Sequence, residues 1–144
     1  MKLFKSLYLA ITCSILLSIS AKAQDMTAWN TENATASQSL KQLTKDFPDA
    51  MHYIFQWDAD HNDRSRVMVN YSVGSAATPQ DFASQHPDWT ELSPLTGKYL
   101  SATMAFIKWC HTYPASAKAL VNQPGGMKWM EEHVYNAPTT ATKQ

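Results

Sequence analysis

The sequence predicts an α+β fold: a small antiparallel sheet built on one β-hairpin, residues 51–57 and 66–73, packed against several helices. Three observations carry this prediction. Met51, Tyr53, Phe55 and Trp57 alternate with His52, Ile54 and Gln56, and Val67, Val69, Tyr71 and Val73 alternate with Arg66, Met68, Asn70 and Ser72. Both runs have the period of two, and the aromatic and β-branched content, of a half-buried strand. The polar stretch 58–65 between them reads as a long acidic loop. Flanking segments bounded by prolines and capping residues read as helices, which a lone hairpin needs as packing partners.

The amino terminus comes first. Lys2 and Lys5 precede an apolar run containing Leu9, Ile11, Ile15, Leu16 and Leu17, and Ala21-Lys22-Ala23 follows. This is the pattern of a secretory signal, 1–23, cleaved after Ala23. The short run suits a bacterial exporter and predicts a periplasmic or secreted protein with no stable membrane anchor once the signal is removed. A single domain, 24–144, remains. The whole chain of 144 residues carries twelve basic and twelve acidic side chains. Removing Lys2, Lys5 and Lys22 leaves nine against twelve, a net charge of −3, which argues against nucleic acid as a partner. Cys13 leaves with the signal, so Cys110 is the only remaining thiol and no internal disulfide is expected.

A helix is predicted from about Asn33, with Leu40, Leu43 and Phe47 along one side and Pro48 as its stop. After the hairpin, Thr78-Pro79-Gln80-Asp81 is a helix start with Thr78 as cap, and His86-Pro87 is its end. Ser93-Pro94 repeats that start. The longest helix is predicted over 95–112. Its solvent stripe is Lys98, Ser101, Ala105, Lys108 and Thr112, and it is apolar elsewhere, which places it at the centre of the core. Gly97 weakens its first turn. A short helix follows Pro114, and a last one, from Met127 to Tyr135, turns Met127, Met130 and Val134 inward and Glu131, Glu132 and His133 outward.

Four groups of residues have the types that chemistry uses. Asp58, Asp60, His61, Asn62 and Asp63 offer oxygens and an imidazole within six positions. The first alternate positions fit a calcium loop, but Asp63 stands at its glycine position and Val69 at its bidentate glutamate, so no metal is assigned. Cys110 and His111 are neighbours on a helix and point about 100° apart, which reads as a buried thiol rather than a nucleophile and its base. Met127, Met130 and His133 resemble a copper ligand set but continue an ordinary core stripe. Of the five tryptophans, Trp29 and Trp89 lie outside the strongly periodic segments and are the ones expected at the surface.

These observations predict a non-enzymatic exported protein that binds, and inhibits by occlusion, another protein such as a toxin or hydrolase. Its contact residues would be Asp58, Asp60, His61, Asn62 and Asp63 on the hairpin loop, with Trp89. No cofactor is expected. Residues 24–63 carry two basic and seven acidic side chains, which favours a basic cleft as the target. The alternative is a periplasmic binder of a small ligand, carbohydrate or metal. A hydrolase would require a histidine and a carboxylate or hydroxyl converging in a cleft.

Overall fold

Single residues turn this chain from one helix into the next. A computed structural model describes residues 26–75, 78–123 and 125–136; the predicted signal, 1–23, lies outside them. The chain divides into two units, 1–32 and 33–144. In the first, residues 26–32 form a helix, α1, in which the Thr31 hydroxyl donates to the Thr27 carbonyl at 3.0 Å and Met26 and Trp29 are buried. The second contains α2 (Ala34–Asp46), α3 (Pro48–Asp60), α4 (Asn62–Gly74), α5 (Pro79–Gln85), α6 (Ser93–Thr96), α7 (Leu100–Thr112), α8 (Pro114–Val121) and α9 (Gly126–Met130). A 3₁₀ turn, Thr90–Leu92, precedes α6, and a π-helical turn, Glu131–Tyr135, follows α9.

The fold is therefore all-α among the described residues, and the predicted β-hairpin at 51–57 and 66–73 does not exist. Both segments are helices, and their buried faces show why the alternation misled. In α3 the buried positions include Met51, Ile54, Phe55 and Asp58; in α4 they are Ser65, Met68, Val69 and Ser72. Each set has the spacing i, i+3, i+4, i+7 of one helix face. Polar residues hold three of those eight places, so the helical period is faint in hydrophobicity alone. The Ser72 hydroxyl is satisfied inside the helix, donating to the Met68 carbonyl at 2.7 Å. Meanwhile Val67, which the alternation turns inward, is 43 % exposed, and Ile54, which it turns outward, is buried.

The corners are built alike. Phe47, His61 and Tyr113 have φ of −135°, −134° and −123° and ψ of 61°, 49° and 60°. Each corner amide still donates to the carbonyl four residues back, on Leu43, Trp57 and Trp109, at 2.8–3.0 Å. Each corner carbonyl accepts from the amide four residues ahead, on Met51, Ser65 and Ala117, at 2.9 Å. The ladder therefore closes one helix and opens the next on the same residue without spanning it, and the φ and ψ of that one residue redirect the chain. Pro48 and Pro114 explain two corners, because proline drives the preceding residue out of the helical region and itself suits the first helical position. At His61 no proline follows. There Asn62 pins the turn, donating to Asp58 Oδ1 at 3.2 Å and to the Val121 carbonyl at 3.1 Å.

Helix α7 occupies the centre and packs against α2, α3, α4, α5, α6 and α8. Its solvent stripe agrees with the sequence: Lys98, Ser101, Lys108 and Thr112 are exposed and Ala105 is half-buried. Phe106 and Trp109 stack at 5.8 Å, and the Trp109 indole N–H donates to the Ala36 carbonyl of α2 at 3.0 Å. The helix is shorter than predicted, because Gly97 separates it from the α6 turn. Before α5, Thr78 and Asp81 form the reciprocal cap that the sequence predicts. The Thr78 hydroxyl oxygen accepts from the Asp81 amide at 3.2 Å, and Asp81 Oδ2 accepts from the Thr78 amide at 3.1 Å.

Candidate functional site

The acidic segment 58–63 is a helix corner, and its side chains diverge. Asp58 is 0 % exposed and faces inward, so it is removed from the predicted contact surface. Burial pushes its carboxyl up to about 6, although Ser65, Asn62, the Met127 backbone and the Arg66 charge all act in the opposite sense. Its Oδ2 and the Ser65 hydroxyl complete no well-directed hydrogen bond. Asp60 is exposed and accepts from the Gln56 amide at 2.9 Å. His61 is the half-buried corner residue, Asn62 is turned back to bind Asp58, and Asp63 projects into solvent 3.7 Å from Arg66. The described residues contain no group of three His, Cys, Asp or Glu side chains able to hold a metal ion.

Trp89 lies elsewhere, just before the 3₁₀ turn, and is half-buried. The His86 ring stacks on it at 4.0 Å, Phe82 meets it edge-on at 6.0 Å, and the Arg64 guanidinium lies over it 4.9 Å from the centroid. Arg64 also pairs with Glu91, whose backbone carbonyl accepts from the Tyr53 hydroxyl at 2.8 Å. Much of the π surface of Trp89 is thus engaged within the chain. Trp29, the other tryptophan expected outside, is buried. The Cys110 thiol is buried and its acidity is suppressed by that burial, which makes it inert as a nucleophile. Met127 and Met130 are buried, whereas His133 is exposed and directs Nδ1 to the Trp129 carbonyl at 3.1 Å.

The most organised polar site was not predicted. Gly125, at φ 69°, starts α9, which then opens into the π turn Glu131–Tyr135. Such turns are rare and recur at functional positions. Glu131 is buried, contrary to its predicted place on the outer side, because it is four residues past Met127 and shares the inward face. His52 of α3 meets it: Nδ1 lies 2.8 Å from Oε1 and 3.0 Å from Oε2. An ionised carboxylate only accepts, so Nδ1 carries the proton and donates. The His52 side chain is otherwise 60 % exposed, against 5 % for Glu131.

Beside this pair lies a cavity of about 150 Å³, lined by Lys41, Thr44, Lys45, Pro48, Glu131 and Tyr135 among others. The Thr44 hydroxyl donates to the Leu40 carbonyl at 2.9 Å, and the Tyr135 hydroxyl to the Ser37 carbonyl at 3.3 Å. Burial pushes the Tyr135 phenol up to about 12, so it stays protonated at neutral pH. Of the His52–Glu131 pair only Glu131 lines the cavity, and both hydroxyls lining it are committed to backbone carbonyls.

The exposed face of α7 carries a second feature. A groove of about 350 Å³ runs along it, floored by Pro79, Met104 and Ile107 and edged by Lys108 and His111. A neighbouring groove of about 280 Å³, lined by Gln42, Leu43, Asp46 and Trp109, shares Ala105 and Lys108 with the first. Met104 is 51 % exposed, the largest apolar side chain so displayed among the described residues. It stands three residues after Ser101 and four before Lys108, so helical spacing places it on the solvent face, although its apolar type suggested the core. Comparison of the chain with models of protein families, with curated proteins and with solved structures gave no match.

Proposed function

We propose that this is an exported, non-enzymatic protein that binds another protein and inhibits it by occlusion, using the exposed face of α7 as the contact surface. The observation that carries this reading is Met104, a flexible apolar side chain half-exposed in an apolar groove. Methionine at a surface groove is adaptable, and a buried apolar anchor within a polar rim is the usual form of a binding hot spot. The occupant is an apolar segment of an exported partner that carries acidic residues, since Lys108 edges the groove with positive charge. The acidic loop of the sequence reading is replaced as the contact, because Asp58 is internal and the corner presents only Asp60 and Asp63 fully to solvent.

The protein recovered from the periplasm is expected to begin at Gln24. Used as bait on periplasmic extract, it should retain the same partner as D60N/D63N, whereas M104E, with an unchanged circular dichroism spectrum, should lose that partner at least about tenfold. Equal retention by M104E would reject α7 as the surface. Failure of the wild-type protein to retain any partner would reject the binding function itself.

A further inference from the structure

We propose that the cavity between α2 and the π turn is a binding site for a small free α-amino acid, its carboxylate held by Lys41 and Lys45 and its ammonium by Glu131. The argument begins with charge. Lys41 and Lys45 are four residues apart on α2, hence on one face, and both line the cavity. Like charges at this spacing repel, and neither lysine is in an ion pair among the described residues. An anion placed between them relieves that repulsion. Glu131 supplies the opposite requirement. It is a buried carboxylate on the cavity wall, and the hydrogen bond from His52 Nδ1–H, its one side-chain partner among the described residues, uses only part of its capacity of about four lone-pair positions.

The two halves are separate. Neither lysine ammonium comes within the ion-pairing distance of Glu131, so the cavity keeps cationic and anionic groups apart instead of letting them neutralise each other. A simple anion would satisfy the lysines but meet the Glu131 charge at low dielectric; a simple amine would meet the lysines. A zwitterion with its two charges a few ångströms apart satisfies both, each through charge-assisted hydrogen bonds. Size points the same way. A volume of about 150 Å³ is an order of magnitude above the roughly 10–15 Å³ a single water requires, enough for several heavy atoms and too little for a large side chain or a peptide. The π turn is what makes the wall: it directs Glu131 and Tyr135 to the same cavity, while the Tyr135 hydroxyl ties the turn to Ser37 of α2.

The test is a titration of the full protein with glycine, L-alanine and L-serine, and with acetate, methylamine and inorganic phosphate as single-charge probes. Binding is followed by calorimetry and by amide chemical shifts. At least one amino acid is expected to saturate, with shifts concentrated at residues 41–48 and 131–136, and every single-charge probe should bind at least about tenfold more weakly. The K41M/K45M variant, altered only at accessible side chains, should lose at least about tenfold in amino-acid affinity with its fold intact, and E131Q should do the same. Absence of saturable binding by all three amino acids would overturn the proposal. So would acetate or phosphate binding as tightly as the best amino acid, which would identify a plain anion site, or full affinity in K41M/K45M.

Discussion

Replacing Phe106 by alanine is expected to lower the free energy of unfolding by about 3–5 kcal/mol, the range for truncating a fully buried aromatic ring. The expectation rests on position. Phe106 has no exposed surface, lies on the helix that contacts six others, and stacks on Trp109, whose indole in turn holds α2 through the Ala36 carbonyl. The space left would be walled by side chains of several helices, which cannot all relax toward it at once. Met104→Ala provides the internal comparison. It lies on the same helix two residues earlier, yet its change should stay within about 0.5 kcal/mol because half of its surface is already in water. Urea unfolding of both variants tests the pair. Similar losses would mean that α7 does not present these two faces as described.

The second large effect is a pH dependence centred on Asp58. Burial raises its carboxyl from 3.8 to about 6, so the folded protein holds this proton more tightly than the unfolded chain. The stability this contributes is complete below about pH 4 and is lost as pH rises through about 6, opposite to the behaviour of a salt-bridged carboxylate. Between pH 4.5 and 7.5 the loss amounts to about 2 kcal/mol. The charged group facing Asp58 is Arg66; Asn62, Ser65 and the Met127 backbone supply the polar surroundings. Asp58→Asn removes the titration at nearly constant shape. Its stability relative to wild type should therefore improve by about 2 kcal/mol over that interval, whatever the other carboxylates contribute to both proteins. Unfolding free energies that run parallel with pH in the two proteins would refute the assignment.

What could be read in the sequence was the punctuation and the helices outside 51–73. The Thr78-Pro79-Gln80-Asp81 cap, the stops at Pro48, Pro87 and Pro114, and the polar stripe of α7 all depend on local chemistry and appear where expected. The hairpin reading failed because α3 and α4 place Asp58, Ser65 and Ser72 on their inner faces while leaving Val67 outside. Binary patterning then loses its helical period and the β-branched residues dominate. These polar residues are supported by partners invisible in sequence, such as Asn62 on Asp58 and the Met68 carbonyl on Ser72. The same limit hid the polar cavity. His52 and Glu131 are 79 positions apart, and only the packing of α3 against α9 joins them. One clue was present: Glu131 extends the Met127–Met130 stripe at helical spacing, a carboxylate at a core position.

The corners at Phe47, His61 and Tyr113 give the molecule a mechanical character. A helix of 13 residues, such as α3, α4 or α7, is about 20 Å long, so a 10° change in the single ψ angle at its base swings its far end by roughly 3 Å. No backbone hydrogen bond among the described residues spans these corners, so each angle is held by what surrounds it: a proline, the Asn62 side chain on Asp58 and Val121, and the packing of the helices on α7. The placement of whole helices within residues 33–144 is thus set at a few corner residues and by the prolines and the Asn62 side chain that brace them.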